Sequence, residues 1–455
     1  MTLALLAGVL LASVTLPATA ADAATRAPHV TWSPCPHMAP YRCGTLPVPL
    51  DYADAAHGSI DLSVIERPVA HSRGVIVFNP GGPGESGVLI LPVLASLVPA
   101  AVRGAFTLVS FDERGTGSSE PLECGPTPAA ASSAVPGTAG ATRTFASLES
   151  ACRRRYPGLF PTVSSTTSAR DMDRLRAALG VRRIDYYGLS YGTVLGSVYR
   201  QLFPAHVGSF VLDGAVDANL SLDSDATLEA PAIQTVLLHD LAACAPAASC
   251  PLGADPVAAY RNLAAALARS PLPAPGGGDT TPVTEGDLLT ATLLYLTVPG
   301  VTAGYFPALA AAAAGNGAPL RTVAEALETD LNGASLVAPL WAITCNDAAT
   351  HPDGAATGAL ARSLAARYPL GGAEAVANNL IGCPGWTPLH TAVAHLKPVR
   401  APTPLVIGNT GDPTTPYAGA RDLTAAIGGR LVTYVGYGHT WLLNGSSDAC
   451  MQAVV

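Results

Sequence analysis

Ser190 stands in Gly188-Leu189-Ser190-Tyr191-Gly192, between an apolar stretch (Ile184-Asp185-Tyr186-Tyr187) and a run of small residues from Thr193 to Leu202. A serine on a sharp strand-to-helix turn presents its hydroxyl as a nucleophile, and the turn needs flanking glycines because its backbone is strained and neighbouring chain passes close by. That hydroxyl requires a base, and the base requires an orienting acid. Of the ten histidines, His439 is the best placed, in Gly436-Tyr437-Gly438-His439-Thr440 just after an apolar run. Asp412 follows Pro404–Ile407 and is the expected acid; Asp213 and Asp217, just past the strand after the serine turn, are the alternatives. A developing oxyanion needs donors. The loop Phe78-Asn79-Pro80-Gly81-Gly82-Pro83-Gly84 follows an early strand, and the backbone N–H groups of Gly82 and Tyr191 are the expected pair. Such a constellation performs acyl transfer through an acyl-enzyme and calls for no metal or organic cofactor.

The elements that must hold these residues are legible as alternating apolar runs and helical stretches from residue 29 to about 217. Ser59–Glu66 alternates with period two, as an antiparallel edge does. The more continuous runs Gly74–Phe78, Phe106–Phe111, Ile184–Tyr187 and Ser209–Leu212 read as parallel strands buried on both faces. Residues 125 to 145, rich in Ala, Pro, Gly, Ser and Thr, read as a surface excursion. Alanine-rich helical segments such as Pro256–Ser270, Glu285–Leu296 and Pro319–Leu331 then dominate until strand signals return at Pro404–Ile407 and Leu431–Val435. The expected organisation is a leader at 1–20, an α/β core at 21–217, a helical cap at 218–398 and the rest of the core at 399–455.

Several motifs together resemble secreted actinobacterial tripeptidyl aminopeptidases, relatives of prolyl aminopeptidases within the α/β-hydrolase superfamily. They are NPGGPG, the segment Phe111-Asp112-Glu113-Arg114-Gly115-Thr116-Gly117-Ser118-Ser119, GLSYGT, VLDG, GDPTTP and GYGHT. The chain order Ser190, Asp412, His439 is also that of α/β-hydrolases. The resemblance covers essentially the whole mature chain and is weakest in the cap. It implies the α/β-hydrolase fold, a mostly parallel sheet flanked by helices with an inserted, mainly helical cap. It also implies a serine exopeptidase that releases short peptides from free amino termini, with Ser190 as nucleophile, Asp412 and His439 completing the triad, and Gly82 with Tyr191 as oxyanion hole. Glu85 departs from the small residue expected after PGGPG and would alter the site mouth. Asp112 and Arg114 are expected to hold their loop rather than to react. A free substrate ammonium calls for a carboxylate; Asp347 is the candidate in the cap, with a plain surface aspartate as the alternative. The same triad would serve an esterase or lipase, and a non-catalytic binding protein of this fold is the remaining reading.

Composition narrows the partners. The 455 residues carry 25 Lys+Arg against 33 Asp+Glu, for a net charge of −8, and no stretch is basic enough to hold nucleic acid. The one lysine, Lys397, leaves no Walker-type phosphate loop. Charged residues are 13% of the chain and hydrophobic ones 49%, enough apolar material for a large core. Residues 3–16 form an apolar run ahead of Pro17-Ala18-Thr19-Ala20, an A-x-A-like cleavage site, although no Lys or Arg precedes Arg26. The expectation is a secreted monomer without membrane insertion that acts on peptide or protein amino termini. Nine cysteines in an exported chain suggest local disulfides, by proximity Cys35–Cys43, Cys124–Cys152, Cys244–Cys250 and Cys345–Cys383. Cys450 is left over, and the resemblance implies that its partner lies in a carboxyl-terminal tail beyond Val455.

Overall fold

The computed structural model describes residues 28–245, 247, 249–274, 281–300, 302–387, 392–445 and 447–455. The expected leader at 1–20 lies outside them. Nine strands form one sheet: β1 (Thr31–Pro34), β2 (Arg42–Pro49), β3 (Ser59–Arg67), β4 (Val75–Asn79), β5 (Thr107–Phe111), β6 (Ile184–Leu189), β7 (Val207–Asp213), β8 (Leu405–Gly411) and β9 (Arg430–Tyr437). Their order is β1-β2-β3-β5-β4-β6-β7-β8-β9. The first three and the β3–β5 pairing are antiparallel, and every pairing from β5 to β9 is parallel.

Continuous apolar runs mark strands covered on both faces, and alternate side chains of these strands enter two different cores. Val77, Val109, Tyr186, Leu212 and Val406 join one cluster, whereas Phe78, Leu108, Tyr187, Val211 and Ile407 join the other. A third cluster holds residues from Ala226 to Leu380, most of them on helices. Part of the 218–398 stretch belongs elsewhere: in the helix Val337–Asp347, Val337, Trp341 and Ile343 pack into the first sheet core.

Two expectations are corrected. β3 is not an edge, because β2 and β5 flank it and β1 is the outer strand on that side. The strand β2 that displaces it was illegible because Pro47 and Pro49 argue against a strand; both lie past the part of β2 that β1 covers, where a missing N–H costs no ladder bond to β1. Residues 125–145 are not a surface excursion either. They contribute the helix Pro128–Ser132 and the start of the helix Ala139–Arg155, and Ala131, Ala134, Ala141 and Phe145 are buried. Small side chains there allow close packing, and Ser132 and Ser133 both hydrogen-bond the buried Asp287.

All four expected disulfides form, Cys35–Cys43, Cys124–Cys152, Cys244–Cys250 and Cys345–Cys383, while Cys450 is free and exposed. Four disulfides fit an extracellular protein. No helix among the described residues is long and apolar enough to cross a membrane.

The loop after β5 is anchored by Arg114, as expected of a structural charge. Its guanidinium donates to both Asp171 oxygens at 2.7 Å, to the Pro49 and Leu50 carbonyls and to Thr162. Both partners of the Arg114–Asp171 pair are fully buried. Asp112 caps the helix Gly87–Leu97 from the same loop, accepting from Ser86 Oγ, Val88 N and Ser118 N. Removing one partner of a buried pair leaves an uncompensated charge, so Asp171→Ala is expected to lower the unfolding free energy by about 3–5 kcal/mol in urea denaturation with the disulfides intact. A loss below about 1 kcal/mol would show that the pair does not hold this loop.

Candidate active site

The carboxyl ends of the central parallel strands converge on one edge of the sheet. β6 runs into Ser190, which adopts a φ of 54°, a left-handed conformation unusual for a serine and suited to a sharp elbow into the helix Gly192–Leu202. Its N–H donates to the Asp213 carbonyl at the end of β7. Glycines make the elbow possible. A side chain at Gly188 would collide with the Gly192 carbonyl, and one at Gly192 would lie 2.7 Å from Asn79 Oδ1.

That last contact joins the elbow to the loop after β4, since Asn79 and Gly188 pair in register. A Cβ at Gly81 would sit 2.7 Å from the Leu189 carbonyl and 3.0 Å from Ser190 Cβ, so the loop lies directly on the elbow. Gly82 has a φ of 103° and is exposed. Among the described residues, neither the Gly82 N–H nor the Tyr191 N–H is taken by another protein acceptor.

On the far side, His439 Nδ1 lies 3.0 and 3.2 Å from the two oxygens of Asp412. Asp412 also accepts the backbone N–H groups of Thr414, Thr415 and Thr440, which fix its direction. Nδ1 thus donates to the acid, and Nε2 is left as the proton-accepting nitrogen. No hydrogen bond links Ser190 Oγ to His439 here, although both residues border β7's end: a Cβ at Gly214 would be 3.4 Å from the imidazole. Such contacts are often long in an unliganded site. Asp213 does not touch the imidazole. It accepts from Trp441 N, Leu442 N and Tyr187 OH, clamping the turn that follows His439, and burial pushes it up to about 6. Asp217 is turned to its own loop, accepting from Asn219 N.

A family model described as "alpha/beta hydrolase fold" matches residues 74–446. The chain belongs to the α/β-hydrolase family. It is 30% identical to serine protease Hip1 of Mycobacterium tuberculosis over 94% of this chain and 88% of that protein. A carboxylesterase B of the same organism is 30% identical over 94% of this chain and 87% of its own. A tripeptidyl aminopeptidase of Streptomyces lividans is 35% identical over 46% of this chain and 44% of its own. These relatives bear out the resemblance drawn from the motifs and support a serine hydrolase of the peptidase kind.

Around this α/β-hydrolase site, several carboxyls were not singled out in the sequence. Glu229, 1% exposed, lies on the helix Leu222–Cys244 that follows β7, and accepts from Asn378 at 2.8 Å and from Asn379. Asp225 stands one turn earlier on the same helix. Burial and then the charge of Asp217 push Asp225 up to about 7; burial, Asp225 and more distantly Asp412 raise Glu229 well above the usual carboxylate range. No Lys, Arg or His pairs with either among the described residues. The sequence signal was an i,i+4 pair of like charges, which weakens a bare helix and so points to another use. Asp347, the expected ammonium partner, is turned to the core side of its helix end. Its carboxyl accepts from Ser165 N at 2.9 Å and bonds Ser165 Oγ, and burial pushes it up to about 7. Glu85 sits half-buried beside the Gly82 turn and is also pushed up to about 7, by burial and then by Asp330. A small cavity of about 40 Å³ is lined by Phe145, Leu293, Leu340, Trp341 and Asn378. Leu340 packs on Gly84 and Asn378 holds Glu229, so the cavity lies between the β4 loop and the acidic pair.

Burial alone would lower the His439 pKa, but the charge and hydrogen bond of Asp412, with Asp213 behind, raise it above 6.5. A general base must be neutral, so kcat/KM is expected to rise with pH and to reach half its plateau above pH 6.5. A profile flat down to about pH 4 would contradict His439 as base.

Proposed function

We propose that the protein is a secreted, monomeric serine exopeptidase that releases short peptides, tripeptides foremost, from free amino termini. Ser190 attacks the scissile carbonyl while His439 Nε2 takes its proton; Asp412 holds the imidazole and stabilises its charged form. The N–H groups of Gly82 and Tyr191 receive the oxyanion. Collapse expels the shortened chain's amine, which takes the proton from His439, and water then releases the peptide from the acyl-enzyme by the same steps in reverse. Helices between 218 and 398 form the cap over this site.

The observation that carries the free-amine reading is the pair Asp225 and Glu229. Two carboxyls without a basic partner among the described residues, one of them, Glu229, 1% exposed and within the field of the triad acid, create a site that favours a cation. A substrate ammonium supplies that charge and would be fixed by charge-assisted hydrogen bonds. Asp347 is a poorer partner because its oxygens are already engaged by Ser165. The carboxylesterase relative keeps a second reading open, a secreted carboxylesterase, in which the acidic pair would go unused.

Three substrates separate the two readings: a tripeptide anilide with a free amino end, its acetylated twin and a short acyl ester. The free anilide is expected to be cleaved, acetylation to abolish cleavage, and Ser190→Ala to remove all turnover with the fold intact. Glu229→Gln is expected to raise KM for the free anilide about tenfold or more. Ester hydrolysis with neither anilide cleaved would establish the esterase instead.

A further inference from the structure

Behind the elbow, three oxygen-to-oxygen links run in series. Asp347 Oδ2 meets Ser165 Oγ, Ser165 Oγ lies 2.6 Å from the Tyr191 hydroxyl, and that hydroxyl lies 3.2 Å from Glu113 Oε2. Each link needs one proton between its two oxygens. Ser165 and Tyr191 carry one hydroxyl proton each, and two protons cannot fill three links. If both end groups were carboxylates, the Ser165–Tyr191 link would set two lone pairs against each other inside the protein, where nothing screens them. The third proton has to be carried by a carboxylic acid at one end.

Backbone amides fix the polarity of both ends. Ser165 N–H donates to Asp347 Oδ1, which leaves Oδ2 for the chain. At the other end Gly81 N–H donates to Asn79 Oδ1, so Asn79 Nδ2 donates to Glu113 Oε1 and leaves Oε2 for the chain. The far end therefore reaches the β4 loop as well as Tyr191.

We propose that Glu113, Tyr191, Ser165 and Asp347 form a chain that holds one carboxylic proton at neutral pH, and that this chain positions the residue next to the nucleophile. The inference rests on reading Ser190 as the nucleophile and Tyr191 N–H as an oxyanion donor. Loss of the proton opens a link and loosens both oxyanion segments, so the rate falls on the alkaline side of neutrality. The groups facing the chain agree with a retained proton. Asp347 faces Ser165 and, beyond it, Tyr191 and Glu113. Glu113, fully buried, faces Asn79, Ser168, Tyr191 and Tyr186, with Asp171 behind it tied to Arg114. Among the described residues no cation pairs with either carboxyl. Burial raises both, Asp347 to about 7.

Amide substitutions test the proton count. In Asp347→Asn or Glu113→Gln the amide oxygen stays on its fixed N–H donor and the NH2 fills one link permanently, so three links have three protons at any pH. Each single variant is expected to lose the alkaline fall in kcat, whereas D347N/E113Q has four protons for three links and kcat about tenfold or more below either single variant. A merely structural role would not move the pH profile in this way. In a Ser190→Ala background, infrared difference spectra should show one protonated carboxyl C=O absorption lost on introducing either amide, a readout that does not depend on turnover. An alkaline fall that persists in both single variants, a double variant no worse than the singles, or no lost absorption would each overturn the proposal. The single variants and the spectra decide the matter even if the double variant does not fold.

Discussion

Ser190 occupies a left-handed backbone conformation at a φ of 54°, a state that costs a residue with a side chain about 1–3 kcal/mol and persists only where its surroundings enforce it. The enforcement here is close packing of main chain on main chain. Gly188 and Gly192 let the strand turn sharply into its helix, Gly81 lets the β4 loop rest on Ser190 Cβ, and the Ser190 N–H is held by the end of β7. The adjacent positions of β4, β6 and β7 in the sheet follow from that packing, and the ends of β8 and β9 bring Asp412 and His439 to the same edge. Any side chain larger than hydrogen at these glycines would press on the elbow or on the loop beside it and so displace the nucleophile.

Charge around this edge is lopsided. One imidazole, already paired with Asp412, stands among buried or half-buried carboxyls: Asp213 beside it, Asp225 and Glu229 on the helix after β7, and Glu113 and Asp347 behind the elbow. Their neighbours show that they have different uses. Asp213 clamps the turn after the histidine by two backbone N–H groups, Glu113 and Asp347 end a hydrogen-bonded chain, and Asp225 with Glu229 has no counter-charge among the described residues. Burial leaves Asp225 and Glu229 without compensation until a positively charged substrate end arrives, while Asp412, with Asp213 behind it, raises the basicity of His439.

Much of this was readable from residue types and spacing. The strand runs of the parallel half appear within a few residues of their expected places, because covering both faces leaves a continuous apolar signal. The four local disulfides follow the nearest-neighbour pairing. Of the residues proposed as the triad, Asp412 and His439 meet, whereas Ser190 Oγ makes no hydrogen bond to the imidazole. What stayed hidden depends on contacts between distant segments. The helices over 128–155 were obscured by small polar residues whose partners, such as Asp287, lie more than a hundred positions away. Asp347 looked like a free carboxylate because Ser165, its partner, is 182 residues earlier. Glu113 was hidden within a loop motif whose flanking Asp112 and Arg114 are structural, and Glu229 within a helix whose facing Asn378 and Asn379 cannot be anticipated from periodicity.

The most direct test of the account is covalent trapping of the nucleophile by a tripeptide phosphonate ester with a free amino end, followed by peptide mass mapping. The account predicts one adduct, on Ser190, forming faster than with the acetylated reagent because the ammonium is bound by the acidic pair. Labelling elsewhere, or none at Ser190, would contradict it.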